Sequence, residues 1–94
     1  MIGVYATAQV KPECKAEFLA LVQAFVEESR THTGCISYDC GAINGETDQY
    51  CFIERWQSQA DLDAHMQTDF FTGNAPKLVA MTVNGLAIHT LSLL

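Results

Sequence analysis

Glu54, Trp56 and His65 are the side chains of this 94-residue chain whose types and spacing best suit chemistry. Glu54 stands two residues from Phe52 and two from Trp56, so in an extended segment all three share one face. A carboxyl group buried among aromatic rings holds its proton to higher pH, which suits proton transfer, whereas one at an interface pairs with a basic group. Trp56 has a large flat ring and one N–H donor, and either fills a core or stacks on a planar ligand. His65 follows Leu62 by three residues and Asp61 by four. The first spacing turns it toward the surface that Leu62 covers; the second allows an exposed pair with the acid. A neutral imidazole in an apolar pocket exchanges protons near pH 7. Tyr38 brings a hydroxyl that needs a partner if buried. Arg30 and His32 fall where a helix ends, and cations there complement its dipole.

Other arrangements are missing. There is no glycine-rich phosphate loop, no GxSxG and no HExxH. His32, His65 and His89 lack metal-ligand spacing, and no metal site is expected. Cys14, Cys35, Cys40 and Cys51 form no CxxC and read as buried reduced thiols. Cys35 and Cys40 have opposite parity on one extended segment, which speaks against a paired Cys–His nucleophile.

The elements that must position these groups follow from periodicity. Ile2 to Val10 alternates, with Ile2, Val4, Ala6, Ala8 and Val10 on one face and Tyr5, Thr7 and Gln9 on the other, as a strand does. Pro12 ends it. From Glu13 to Thr33 the period becomes helical, with Phe18, Leu21, Val22, Phe25 and Ser29 on one side, and Gly34 supplies the stop. Cys35 to Ala42 alternates again and places Ile36, Tyr38, Cys40 and Ala42 together. Asn44-Gly45 makes a turn, and Gln49 to Gln57 is a second hairpin strand rich in β-forming residues. Ser58 and Asp61 form a capping box before a short helix to Met66. Thr68 caps a further helical stretch to about Met81, with a break or bend expected near Gly73 and Pro76. Asn84-Gly85 turns into a last strand, Leu86 to Leu93. The order β-α-β-β-α-β predicts an α+β, ferredoxin-like fold: an antiparallel sheet with helices on one face, as one domain over residues 1–94.

Composition narrows the function. The chain is 49% hydrophobic and only 17% charged, so it is not a disordered segment. Five basic against eleven acidic residues, for a net charge of −6, leave no basic stripe for nucleic acid or anionic lipid. No apolar run is long enough to span a membrane, and the first residues do not read as a secretory signal, so a cytoplasmic location is expected. The helices cover one sheet face, yet the other also carries apolar groups, with Ile53 beside Cys51 and Arg55, and Leu91 beside His89. Scattered surface apolar residues would account for this. The preferred expectation is a homodimer formed through the sheet faces.

Phe52 through Phe71, with Glu54-Arg55-Trp56 followed by a capped helix and His65 nine residues after the Trp, resembles the signature of antibiotic biosynthesis monooxygenase domains. Gly34-Cys35-Ile36-Ser37-Tyr38 resembles the Gly-Cys-x-x-Tyr segment of the same family. The resemblance implies a dimeric α+β barrel with a pocket between sheet and helices. It also implies a cofactor-independent monooxygenase of a small aromatic, phenolic or quinol substrate, in which the deprotonated substrate supplies electrons to dioxygen. His65 would be the base or a substrate hydrogen-bond partner, with Glu54 the second catalytic group. Trp56, Tyr38, Phe52 and Arg30 would bind substrate, with Trp56 as a pocket wall. The acid that the family carries near the end of the first helix is replaced around His32, and Asp69-Phe70 replaces a small polar residue followed by His. Thr7 and Gln9 stand where haem-degrading relatives carry an Asn, which disfavours haem degradation. Two alternatives stay open. One is an isomerase of a small hydroxyketone using the same His and Glu. The other is a non-catalytic binding or dimerisation module, which predicts a filled pocket around His65.

Overall fold

A computed structural model describes all residues, 1–94. Four strands, β1 (Ile2–Gln9), β2 (Cys35–Ala42), β3 (Gln49–Trp56) and β4 (Ala87–Ser92), form one sheet in the order β2-β3-β1-β4. Every neighbouring pair is antiparallel. Between the strands run α1 (Lys15–Ser29), α2 (Gln59–Met66) and α3 (Asp69–Ala80), with a 3-10 turn at Pro12–Cys14 ahead of α1. This is the expected ferredoxin-like α+β arrangement, with the second helical segment split in two. No helix is long and apolar enough to cross a membrane.

Alternation on β1 and β3 decides which face is buried. Val4, Ala6 and Ala8 point inward with Tyr50, Phe52, Glu54 and Trp56, while Tyr5, Ile53 and Arg55 are exposed. Phe18, Val22, Phe25 and Ser29 of α1 close over the inner face, as the helical period predicts. Phe18, Phe25 and Trp56 are among the largest fully buried side chains. Each contributes on the order of 2 kcal/mol of hydrophobic stabilisation.

Four local expectations change. Helix α1 is shorter than predicted, because after Ser29 the chain tightens. The amides of Thr31 and His32 donate to the carbonyls of Glu28 and Ser29 at 3.0 Å, and the Thr31 hydroxyl donates to the Glu28 carbonyl at 2.6 Å. Gly34, at φ +81°, then reverses the chain into β2. Second, β2 carries an irregularity between Cys35 and Ser37, a bulge at Ile36. The extra residue throws Ile36 outward, 46% exposed. It also moves Cys35 into register with Trp56, so Cys35 shares the inner side with Tyr38, opposite Glu54, and Cys40, opposite Phe52. The opposite parity expected of Cys35 and Cys40 is therefore wrong. Third, α3 is continuous through Gly73 and Pro76. Proline removes one N–H and leaves the Thr72 carbonyl without its helical donor, but packing of Phe70, Phe71, Ala75 and Leu78 against the core holds the segment helical. Fourth, β4 begins at Ala87, one residue later than expected, after Gly85 turns at φ +78°. All six residues of β4 are exposed.

Candidate active site

The capping box places His65. The Ser58 hydroxyl accepts the Asp61 amide at 3.2 Å and starts α2 directly after β3. Leu62 and His65, three residues apart on that helix, then face the sheet, where both are buried. The His65 ring lies 4.5 Å from the Trp56 ring, 5.1 Å from Phe71 and 5.8 Å from Tyr38, centre to centre. Its Nδ1 meets Nδ1 of His32 at 2.8 Å. Burial pushes the His65 imidazole down to about 4, with the neighbouring His32 acting in the same direction, so the ring is neutral near pH 7. Ser29 Oγ is the single buried side-chain nitrogen or oxygen without a partner. His65 Nε2 also lacks a protein partner but is not sealed like Ser29 Oγ, and His65 borders a cavity between the sheet and the helices.

Glu54 sits on the same inner face, 7% exposed. Its Oε1 accepts the Trp56 indole N–H at 2.9 Å, a contact that the two-residue spacing on one strand face makes possible. Burial pushes the carboxyl up to about 7, against the opposing pull of that hydrogen bond. Near neutral pH it therefore exists in both protonation states, as a proton-transfer group requires. Tyr38 pairs with Glu54 across β2 and β3. Burial, and secondarily the Glu54 charge, hold its phenol well above its ordinary range. The Ser29 hydroxyl pulls the other way without reaching hydrogen-bond geometry, which leaves Ser29 Oγ unpartnered. Cys40, half-buried behind this group, is pushed up to about 12 chiefly by burial and stays a neutral thiol.

These side chains border a cavity of about 180 Å³ between the sheet and the helices α2 and α3. Thirteen of its seventeen lining residues are hydrophobic, including Phe25, Phe52, Phe71 and Leu78, so the polar groups are few and converge. Those groups are Glu54, His65, Gln59 and Thr90, joined by the Tyr38 phenol. Ile88, 62% exposed, lines the cavity from β4, so the mouth opens along that uncovered strand.

His65, Glu54, Tyr38 and Phe52 thus come together at one cavity. Trp56 and Arg30 stand elsewhere. Trp56 is fully buried and absent from the lining; it backs Glu54 and His65 rather than forming a pocket wall. Arg30 lies outside the cavity, because its guanidinium is held by the Asp39 carboxylate at 2.9 Å and the Tyr38 carbonyl at 3.2 Å. His32, read from sequence as a helix-end cation, instead lies in the turn after α1 and reaches into the His65 ring. No periodicity marks that turn; the one sequence signal was the departure from the family pattern around His32.

The model of the antibiotic biosynthesis monooxygenase family matches residues 1–73. The chain is 44% identical over 70 residues to sll1783 of Synechocystis sp., a protein named as uncharacterised; the match covers 74% of this chain and 48% of that protein. It therefore spans about half the length of that relative. It is 35% identical over 77 residues to YcnE of Bacillus subtilis, named as a candidate monooxygenase, over 82% of this chain and 81% of YcnE. Among solved structures, a conserved protein from Methanosarcina mazei Go1 superposes with a TM-score of 0.93 at 30% identity, covering 96% of this chain and 89% of that one.

Proposed function

The chain belongs to the antibiotic biosynthesis monooxygenase family, and from that premise we propose that it is a cofactor-independent monooxygenase of a small phenol or quinol. Residues 1–94 act as one domain, paired with a second copy through the outer sheet faces. The observation that carries this reading is the apolar cavity with an accessible neutral imidazole, His65, beside a carboxyl group that ionises near pH 7. An apolar cavity of roughly 150 Å³ holds benzene. One of about 180 Å³ suits a single substituted ring.

The chemistry asks little of the protein. His65 Nε2 takes the proton of the substrate hydroxyl, and the resulting electron-rich ring reacts with dioxygen. A phenol with an unsubstituted para carbon becomes a quinone, and a quinol with an unsubstituted ring carbon becomes a hydroxyquinone: in each case one oxygen atom enters the ring and the other leaves as water, with all electrons drawn from the substrate. The walls exclude water, and Glu54 and Tyr38 orient the ring oxygens. A polar hydroxyketone would set its hydroxyls against apolar walls, which favours the aromatic substrate over the isomerase alternative. A non-catalytic module would have a filled pocket around His65, whereas this cavity reaches it.

Methylhydroquinone supplied under isotopically labelled dioxygen tests the reading. The expected product is a hydroxyquinone carrying one labelled oxygen, with no turnover under anaerobic conditions. Isomerisation of a small hydroxyketone such as dihydroxyacetone without oxygen would point to the isomerase, and no turnover of a panel of single-ring phenols and quinols would remove the monooxygenase reading.

A further inference from the structure

The His32–His65 contact joins the cavity to the surface. His32 is held in the turn after α1 by its backbone: its amide donates to the Ser29 carbonyl at 3.0 Å, and its carbonyl accepts from the Cys35 amide at 3.2 Å. Its ring therefore sits at a defined place, with Nδ1 against His65 Nδ1 at 2.8 Å. Its far nitrogen, Nε2, lies 3.5 Å from Glu28 Oε1 on α1. The imidazole is 13% exposed and the Glu28 side chain 47%, so the line from His65 to Glu28 runs from the cavity to solvent.

Two imidazoles facing through like nitrogens at this distance require one N–H and one lone pair. Only one proton lies between them, and each ring keeps its other nitrogen free for exchange: Nε2 of His65 toward the cavity and Nε2 of His32 toward Glu28. We propose that His32 is a positioning and relay residue, which with Glu28 carries a proton between His65 and solvent during turnover. The proposal rests on the monooxygenase reading for its substrate, but its core, the shared proton, does not.

The proton path balances. His65 Nε2 takes a proton from the substrate hydroxyl as the His65 Nδ1 proton passes to His32 Nδ1. The His32 Nε2 proton passes to the Glu28 carboxylate and on to water. Both rings end neutral, with their tautomers exchanged. The reverse run returns a proton to the departing oxygen and restores them, so no net proton is consumed. Other titratable groups near the pair are Glu54 on β3, Tyr38 on β2 and Asp61, one turn earlier on α2. None of them makes a hydrogen bond to either ring.

Nitrogen NMR of the imidazoles, combined with turnover of methylhydroquinone, tests the relay on the whole chain and on His32→Gln and Glu28→Gln. The wild-type spectra are expected to show His65 and His32 in complementary tautomers, one Nδ1 protonated and the other not. Glutamine at position 32 can still hydrogen-bond His65 but cannot pass a proton. That variant is expected to lose on the order of tenfold or more in kcat, with KM changed less than about twofold. Added imidazole is expected to restore part of the rate. Glu28→Gln is expected to give a smaller loss of kcat, also with KM preserved. Two rings that do not hold complementary tautomers in the wild type would overturn the relay, even in a protein that does not turn over this probe. So would a His32→Gln enzyme with full kcat and an unchanged pH profile. Absence of turnover together with complementary tautomers would instead count against the substrate reading and leave the shared proton supported.

Discussion

His65 and Glu54 are two buried titratable groups displaced in opposite directions, and their effects on stability oppose each other. The Glu54 carboxyl is raised from an ordinary 4.5 to about 7. Between those values the folded chain holds a proton that the unfolded chain has released, so stability falls as pH rises through that window. The His65 imidazole is lowered from 6.5 to about 4. Between those values the unfolded chain binds the proton and the folded chain does not, so stability is lost as pH falls. Each effect amounts to about 3 kcal/mol at most. In the overlap, from pH 4.5 to 6.5, they offset one another, and thermal unfolding is expected to vary little with pH. Glu54→Gln removes the falling contribution, so its melting temperature is expected to climb across that window and to gain on the wild type above pH 7. His65→Gln is expected to tilt the curve the other way. Circular-dichroism melts between pH 4 and 8 check both, and a Glu54→Gln curve parallel to the wild type would show that Glu54 is not buried as described. The same-face triad Phe52, Glu54 and Trp56 was legible from parity alone. Whether Trp56 lined the cavity or stood behind it was not, because parity specifies a face and not what else lies on it.

Among the elements, the turn between α1 and β2 carries the most consequence. Gly34 holds φ +81°, and a Cβ there would overlap the Asp61 side chain on α2 from its Cβ to its carboxyl group. Alanine at this position adds a left-handed penalty of about 1–2 kcal/mol to that overlap. Gly34→Ala is expected to cost about 2–4 kcal/mol in urea denaturation, with part recovered in the double variant Gly34→Ala/Asp61→Gly measured against Asp61→Gly alone, where the overlap is relieved and the strain is not. Full recovery would mean that the backbone conformation carries no cost. The glycine stop was readable in the sequence because the helical period ends there. The Ile36 bulge two residues later was not: alternation counts residues, and a bulge inserts one without changing any residue type. Its effect is large nonetheless, since it puts Cys35 inward and Ile36 on the outer surface. The break expected in α3 failed for a related reason. Gly73 and Pro76 weaken a helix locally, but contacts of Phe70, Phe71 and Leu78 with the core outweigh that local cost.

At the scale of the molecule, the outer sheet face carries exposed apolar side chains. Ile53 is 56% exposed, Leu91 44% and Tyr5 40%, with Tyr5 stacked on His89 at 4.8 Å. A charge at the centre of this face separates the proposed dimer from a monomer with scattered apolar residues. Ile53→Glu is expected to sediment as a monomer at micromolar concentration where the wild type sediments as a dimer. A wild type that is monomeric under those conditions would remove the dimer. By itself the sequence determined the order of elements, the sets of residues that share a face on β1 and β3, the apolar side of α1, and the capped start of the helix that carries His65. Each of these follows from short-range periodicity and local hydrogen bonding, which the residue order carries directly. Only the tertiary structure decided that Trp56 backs the site, that Arg30 turns away to Asp39, and that His32 meets His65. Those contacts join residues distant in the chain, and their geometry depends on how the turn after α1 and the bulge in β2 set one element against another.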